Sequence, residues 1–393
     1  MYDILFLDQY GERGGGQQVL LELVSAAHAC GRRVCVMLPD GPSAARLEAL
    51  GACVVRVQPC DLHQGRKNGR DVLRFAVYNC GLLLRHIREF REAKLVYVNG
   101  NRLLLAAALS SILLGARVAY HIHLNHGRTE RALFTAVLRL RGTRALVMPS
   151  DFIRRALTAA DPRFDNPRCV MVENGLDARF ADIPYVDRFS GHPLRHVGIL
   201  GRVSPEKGQD VLLPLAREFP QLDFHVLGDA AFSAAGYLAH LRAEAPGNVY
   251  FHGWVEDVPA KVTQLGLQVC LVPSRCPADD PSRSFEAAPL VPLQMAALSC
   301  LVAVRDLGAL HNVAQTLQLS TFDTDASISK VLRTFLAAMP ETLAATSRAT
   351  FSMVAQRYSH EAFQQRLQTL LSTLLEVSGV KTFYPSRHSR DRL

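Results

Sequence analysis

Tryptophan occurs once, lysine six times and methionine seven times among 393 residues, whereas arginine occurs 38 times. Nine cysteines are scattered without a single Cys-x-x-Cys pair. That spacing excludes a zinc ribbon and a disulfide scaffold, and it fits a reducing cytoplasm. Long apolar runs are missing too. The longest, Leu103 to Leu114, is interrupted by Ser110 and Ser111 and is too short to cross a bilayer. The chain opens on Tyr2-Asp3-Ile4-Leu5-Phe6-Leu7, an acidic start running straight into a strand, which reads as fold and not as a secretory leader. Aromatic residues make up only 7% and are not interleaved with the basic clusters, so base stacking on nucleic acid is not expected.

What the chain has is arginine, unevenly spread. Residues 1–190 carry 26 Lys and Arg against 18 Asp and Glu, and residues 191–393 carry 18 against 18, so the whole net charge of +8 lies in the first half. Arg32-Arg33, Arg66-Lys67, Arg85 with Arg88 and Arg91, and Arg154-Arg155 supply much of it. An anionic partner such as a membrane leaflet or lipid phosphate is the expectation. Arginine decorating an ordinary solvated face is the competing reading.

Both halves alternate short apolar runs with segments of helical spacing, the pattern of an α/β fold with parallel sheets. Strands are expected at Asp3–Leu7, Arg33–Leu38, Cys53–Val57, Leu95–Val98, Arg117–Ile122 and Ala145–Pro149, and again at His196–Leu200, Asp223–Leu227, Val249–His252, Val269–Pro273 and Cys300–Val304. Helical spacing marks Gln17–Ala29 and Leu103–Leu113. At this length two domains are expected. The boundaries read as 1–177, an aperiodic linker at 178–195, a second domain at 196–357, a helix at 358–380 that crosses back to the first domain, and a basic tail at 381–393.

One stretch is more specific than the rest: Gly198-Ile199-Leu200-Gly201-Arg202-Val203-Ser204-Pro205-Glu206-Lys207-Gly208. A buried strand leads into a glycine-rich turn bearing one Arg and one Lys, followed by a helix expected from Val211 to Arg217. Glycines let backbone N–H groups approach an anion, a helix start adds partial positive charge, and two cations can close on a diphosphate. No Ser or Thr follows the lysine to hold magnesium, so it is not the nucleoside-triphosphate phosphate loop. A second glycine turn, Gly14-Gly15-Gly16-Gln17, follows the first strand. Ser284-Phe285-Glu286-Ala287-Ala288-Pro289-Leu290-Val291-Pro292-Leu293-Gln294 opens a helix, and Tyr120-His121-Ile122-His123 ends a strand, with the two histidines on one face. Asp323-Thr324-Asp325 lies in a Ser/Thr-rich segment and reads as a turn, not a metal site.

The first stretch resembles the Gly-Arg-hydrophobic-x-x-x-Lys-Gly signature of family 4 glycosyltransferases. Gly14-Gly15-Gly16 resembles that family's Gly-Gly-Ala-Glu loop, and Glu286 to Gln294 its Glu-x7-Glu element, with Gln294 in place of the second acid. Asn174-Gly175-Leu176-Asp177 and Leu227-Gly228-Asp229 are further matches, and the likeness runs over roughly residues 3–375. It implies the GT-B arrangement, two doubly wound Rossmann-like domains facing across a cleft. It also implies a retaining transferase that takes a nucleotide-diphosphate sugar as donor and uses no metal or other cofactor. By the same likeness Arg202 and Lys207 neutralise the diphosphate, helped by the N–H groups of Leu290 and Val291 and by Gly15, Gly16 and Gly228. Glu286 contacts the sugar hydroxyls, Gln294 the ribose, His123 the transferred sugar, and Val255 of His252-Gly253-Trp254-Val255 the base. His121 is read as structural. A glycan or lipid-linked acceptor, reached from the cytoplasm at the inner face of a membrane, completes the expectation. Two alternatives stay open, a sugar-nucleotide epimerase of the same fold and a non-catalytic nucleotide-sugar-binding subunit.

Overall fold

The computed structural model describes residues 1–60, 69–124, 127–230, 235–276 and 286–376. The Arg66-Lys67 pair, Ser284 and Phe285 with the loop before them, the end of the expected 358–380 helix and the basic tail lie outside the described residues. The chain divides into two compact units, 1–149 with 153–172 and 364–376, and 150–152 with 173–363.

In the first unit the strands are β1 (Tyr2–Leu7), β2 (Val34–Leu38), β3 (Cys53–Arg56), β4 (Ala93–Val98), β5 (Val118–His121), β6 (Thr143–Met148) and β7 (Cys169–Met171). They form one parallel sheet in the order β3-β2-β1-β4-β5-β6-β7. Ile4, Leu5, Phe6 and Leu7 are wholly buried, as are Cys35 to Leu38. Continuous apolar strands of this kind are what a parallel sheet covered on both faces requires. The order reverses between β1 and β4, which pair from Tyr2↔Ala93 to Leu7↔Val98. At such a switch point the loops leave the strand ends in opposite directions and open a crevice.

The second unit repeats the plan with β8 (His196–Leu200), β9 (Asp223–Leu227), β10 (Val249–Phe251), β11 (Val269–Val272), β12 (Leu301–Arg305) and β13 (Ser320–Phe322), ordered β10-β9-β8-β11-β12-β13. Its switch point falls between β8 and β11. One face of the sheet packs on a core that includes Leu212, Leu215 and Phe224, the other on a core that includes Val262, Met295 and Tyr358.

The structure departs from the sequence expectation in four places. Strands β7 and β13 were not foreseen; each has three residues at a sheet edge, too few to show a pattern, and each exists through pairing with its neighbour. Residues 178–195 are not a bare linker. Phe180 and Phe189 are buried in the second unit, and Arg188 Nε donates to Leu298 O at 3.0 Å. The helix expected from Val211 starts at Leu212, after two 3-10 turns, Pro205–Lys207 and Gln209–Val211. Pro205 opens the first turn and Gly208, at φ 72°, closes it, so a regular helix cannot run through. Asp323-Thr324-Asp325 is a helix start: Thr324 caps the Asp325–Ala337 helix and accepts from Ser327 N.

Candidate functional site

Each unit gathers polar residues at the switch point of its own sheet. In the second unit Gly201 and Arg202 follow β8, and Ser274 follows β11. Glu286 is largely buried there, accepting from Ser274 Oγ at 2.8 Å and from the Lys207 ammonium. Burial pushes its carboxyl up, but Lys207, the Ser274 hydrogen bond and Arg202 outweigh that and hold it below the ordinary value. Arg202 donates to Glu206 Oε1 at 2.5 Å. The expected cations and the expected acid therefore meet in one place, with Ser274 as a member that the sequence motifs did not mark.

The loop carrying these cations is locked from both sides. Gln209 Nε2 donates to Arg202 O at 2.8 Å, and Arg275 N to Glu206 O at 2.8 Å. Arg275 forms a fork with both carboxylate oxygens of Asp210 at 2.9 Å each and reaches Asp325 at 2.7 Å. Gly228, just past β9, has φ 148°, and a Cβ there would sit 1.9 Å from Gly201 O, so the turn demands glycine for backbone packing. Leu290 and Val291 open the Val291–Ala297 helix, ahead of its first intrahelical acceptors, and Gln294 lies one turn in. Val255 lines a pocket of about 450 Å³ with His252, Trp254, Asp257, Lys261 and Gln264.

In the first unit, Asp8, Asn99 and His123 lie just beyond the carboxyl ends of β1, β4 and β5. Neither Asp8 nor Asn99 was singled out from sequence; the available signal was a polar residue directly after a buried strand. Asp8 is wholly buried and accepts from Asn99 Nδ2 at 2.6 Å, Gln17 Nε2 at 3.0 Å and Tyr10 N at 3.0 Å. Burial raises its carboxyl above the ordinary value despite those donors. Asn99 Nδ2 also donates to Gly16 O at 3.0 Å. With both amide N–H groups committed, its Oδ1 faces His123 Nε2 at 2.7 Å, so that nitrogen carries a proton and donates to it. The Gly15–Ala29 helix starts at the glycine turn, and an added Cβ at Gly16 would rest on the His123 ring at 3.7 Å. His121 is buried, bonded through Nδ1 to Tyr97 Oη at 3.0 Å, and burial holds it well below the usual histidine range.

Residues 14–175 match the model of the glycosyl transferase 4-like domain. No curated protein is similar to the chain in sequence. Among solved structures, HepE of Anabaena in complex with UDP and glucose superposes with a TM-score of 0.76 at 20% identity, covering 95% of this chain and 100% of that one. Sucrose-phosphate synthase of Thermosynechococcus elongatus gives 0.72 at 14% identity over 95% and 99% of the two chains. The lipopolysaccharide outer core galactosyltransferase WaaB gives 0.63 at 15% identity over 94% and 99%. The two parallel sheets and these neighbours together show a GT-B fold, and residues 14–175 of the chain are similar to the glycosyl transferase 4-like domain.

Proposed function

We propose that this chain is a retaining glycosyltransferase that moves a sugar from a nucleotide-diphosphate sugar to a glycan or lipid-linked acceptor, in cell-surface polysaccharide or glycolipid synthesis. The observation that carries the reading is the charge arrangement at the second switch point. Arg202 and Lys207 are each held by a carboxylate of the chain itself, Glu206 and Glu286. A diphosphate arriving there replaces these carboxylates on the two cations, and Glu286, keeping its Ser274 hydrogen bond, is released toward the sugar. As the anomeric carbon–oxygen bond to the diphosphate breaks, the acceptor oxygen bonds to that carbon from the same face. The acceptor proton leaves with the diphosphate, and the two cations neutralise the charge that develops, so in this reading no metal is required. Glu286 then accepts from the sugar hydroxyls, Gln294 meets the ribose, and the Leu290 and Val291 N–H groups face phosphate. The pocket beside Val255 and Trp254 has room for a base; HepE, solved with UDP, favours uracil. On the first unit we assign His123 to a sugar hydroxyl and Gly15 and Gly16 to the donor side.

Gln294 supports a second reading, a binder without turnover, because an amide offers one acceptor oxygen where a carboxylate accepts from both ribose hydroxyls. One set of measurements separates the readings. A thermal-shift panel of nucleotide sugars identifies the donor, since binding to the folded state raises its stability. Hydrolysis and transfer of that donor are then followed in wild type and in Arg202→Ala with Lys207→Ala. Charge-assisted bonds are worth about 1.5–3 kcal/mol each, so each single change is expected to lower turnover at least tenfold. Unchanged kinetics in the folded double variant would overturn the diphosphate assignment, and binding without turnover in wild type would favour the binder.

A further inference from the structure

The Gly69–Arg85 helix is built the wrong way round for water. Its inward face buries Asp71, Asn79, Leu82 and Leu83. Its outward face carries Leu73, Val77, Cys80 and Leu84, which at 3.6 residues per turn lie within about 60° of one another around the axis. Leu73 is 65% exposed, Val77 64% and Leu84 71%. Val72 is exposed beside them, and the Leu104–Leu114 helix, packed on this one, exposes Ile112 and Leu113. An exposed apolar stripe on this scale marks an interaction surface.

Charge says what the partner is. Arg70, Arg74 and Arg85 are exposed and line one flank of the stripe; Arg88, just beyond the helix, is exposed too but paired with Glu92 at 2.7 Å. The single acid of this helix, Asp71, is buried on the opposite face. A second copy of the same face would supply leucines to the stripe but no acid to the arginine row. A bilayer of anionic lipid satisfies both at once, acyl chains against Leu73, Val77 and Leu84 and headgroups against the guanidiniums. No described helix is long and apolar enough to cross a membrane, so contact through this face is interfacial.

We propose that the outward face of the Gly69–Arg85 helix is a docking surface for an anionic lipid bilayer. The surface belongs to the first unit alone and does not depend on which sugar is moved, so it is tested apart from the chemistry. The purified full chain is sedimented with phosphatidylcholine vesicles and with phosphatidylcholine vesicles containing phosphatidylglycerol. Wild type is expected to pellet with the anionic vesicles only and to be released as salt rises. Leu73→Ser with Leu84→Ser is expected to weaken binding at least tenfold, and Arg70→Gln with Arg74→Gln and Arg85→Gln to remove its salt dependence. All these positions are exposed, so circular dichroism and turnover on a soluble acceptor are expected to stay at wild-type level. Absence of binding to anionic vesicles, equal binding to both vesicle types, or wild-type binding by the leucine variant overturns the proposal. Self-association of wild type that the leucine variant abolishes, without vesicle binding, identifies the face as a contact between copies and overturns it equally.

Discussion

At the residue scale, the asparagine at position 99 illustrates how one side chain decides the chemistry of another. Its amide nitrogen is spent on Asp8 and on Gly16 O, which leaves its oxygen to fix the Nε2 proton of His123. Asn99→Ala removes that instruction and takes the closest donor from a buried carboxyl group, a loss of about 1–3 kcal/mol in stability. We expect His123 to pass from a protonated Nε2 to a mixture of tautomers, read by nitrogen NMR of the ring, and turnover to drop at least tenfold with donor affinity nearly unchanged. An unaltered ring spectrum would show that His123 is held by something else. Lys207 and Glu286 stand in the same relation in the second unit. Each motif was visible in sequence, but the pairing of a lysine and a glutamate 79 residues apart was not. Ser274, which completes that pair, carries no pattern at all and is recruited only because β11 ends beside β8.

Among the elements, the glycine-rich turns divide by cause. Gly228 is required by the chain's own packing, because φ 148° and the Gly201 carbonyl leave no room for a methyl group. Gly228→Ala is therefore expected to cost about 3 kcal/mol or more, combining an unfavourable backbone region with overpacking. A fall in the denaturant midpoint measures it, and a midpoint equal to wild type would mean the turn relaxes freely. At Gly15, by contrast, nothing among the described residues stands within 4 Å of an added Cβ. The described part of the fold leaves room for a side chain there. The strand runs were legible because burial on both faces writes a continuous apolar string. The three-residue edge strands and the 3-10 turns after Pro205 were not, since neighbour pairing and a left-handed glycine decide them.

On the scale of the whole molecule, acid is expected to act through histidine. His225 on β9 is bonded to His196 at 3.1 Å and to His252 at 3.1 Å, stacks on Tyr250, and lies within reach of Asp223 and Lys261. Burial, then the two neighbouring histidines and Lys261, push it down to about 4, against the pull of Asp223. The unfolded chain binds its proton near pH 6.5 and the folded chain does not, so stability is full above about pH 6.5 and declines as pH falls toward 4. For this one group the decline is limited to roughly 3 kcal/mol. Denaturant unfolding at several pH values should show it, and His225→Gln, which cannot titrate, should flatten part of the slope. An identical slope in that variant would place the acid sensitivity elsewhere, with buried His121 next in line. Composition, strand–helix alternation and the spaced Arg, Lys and Glu motifs by themselves determined the α/β class, the two parallel sheets and the candidate diphosphate cations, because buried strands and phosphate turns constrain which residue types can follow one another. Which polar groups complete those sites, Asp8 and Asn99 with His123 and Ser274 with Glu286, was decided only by tertiary structure. Strand order brings the ends of β1, β4 and β5, and of β8 and β11, side by side, and no local pattern encodes that adjacency.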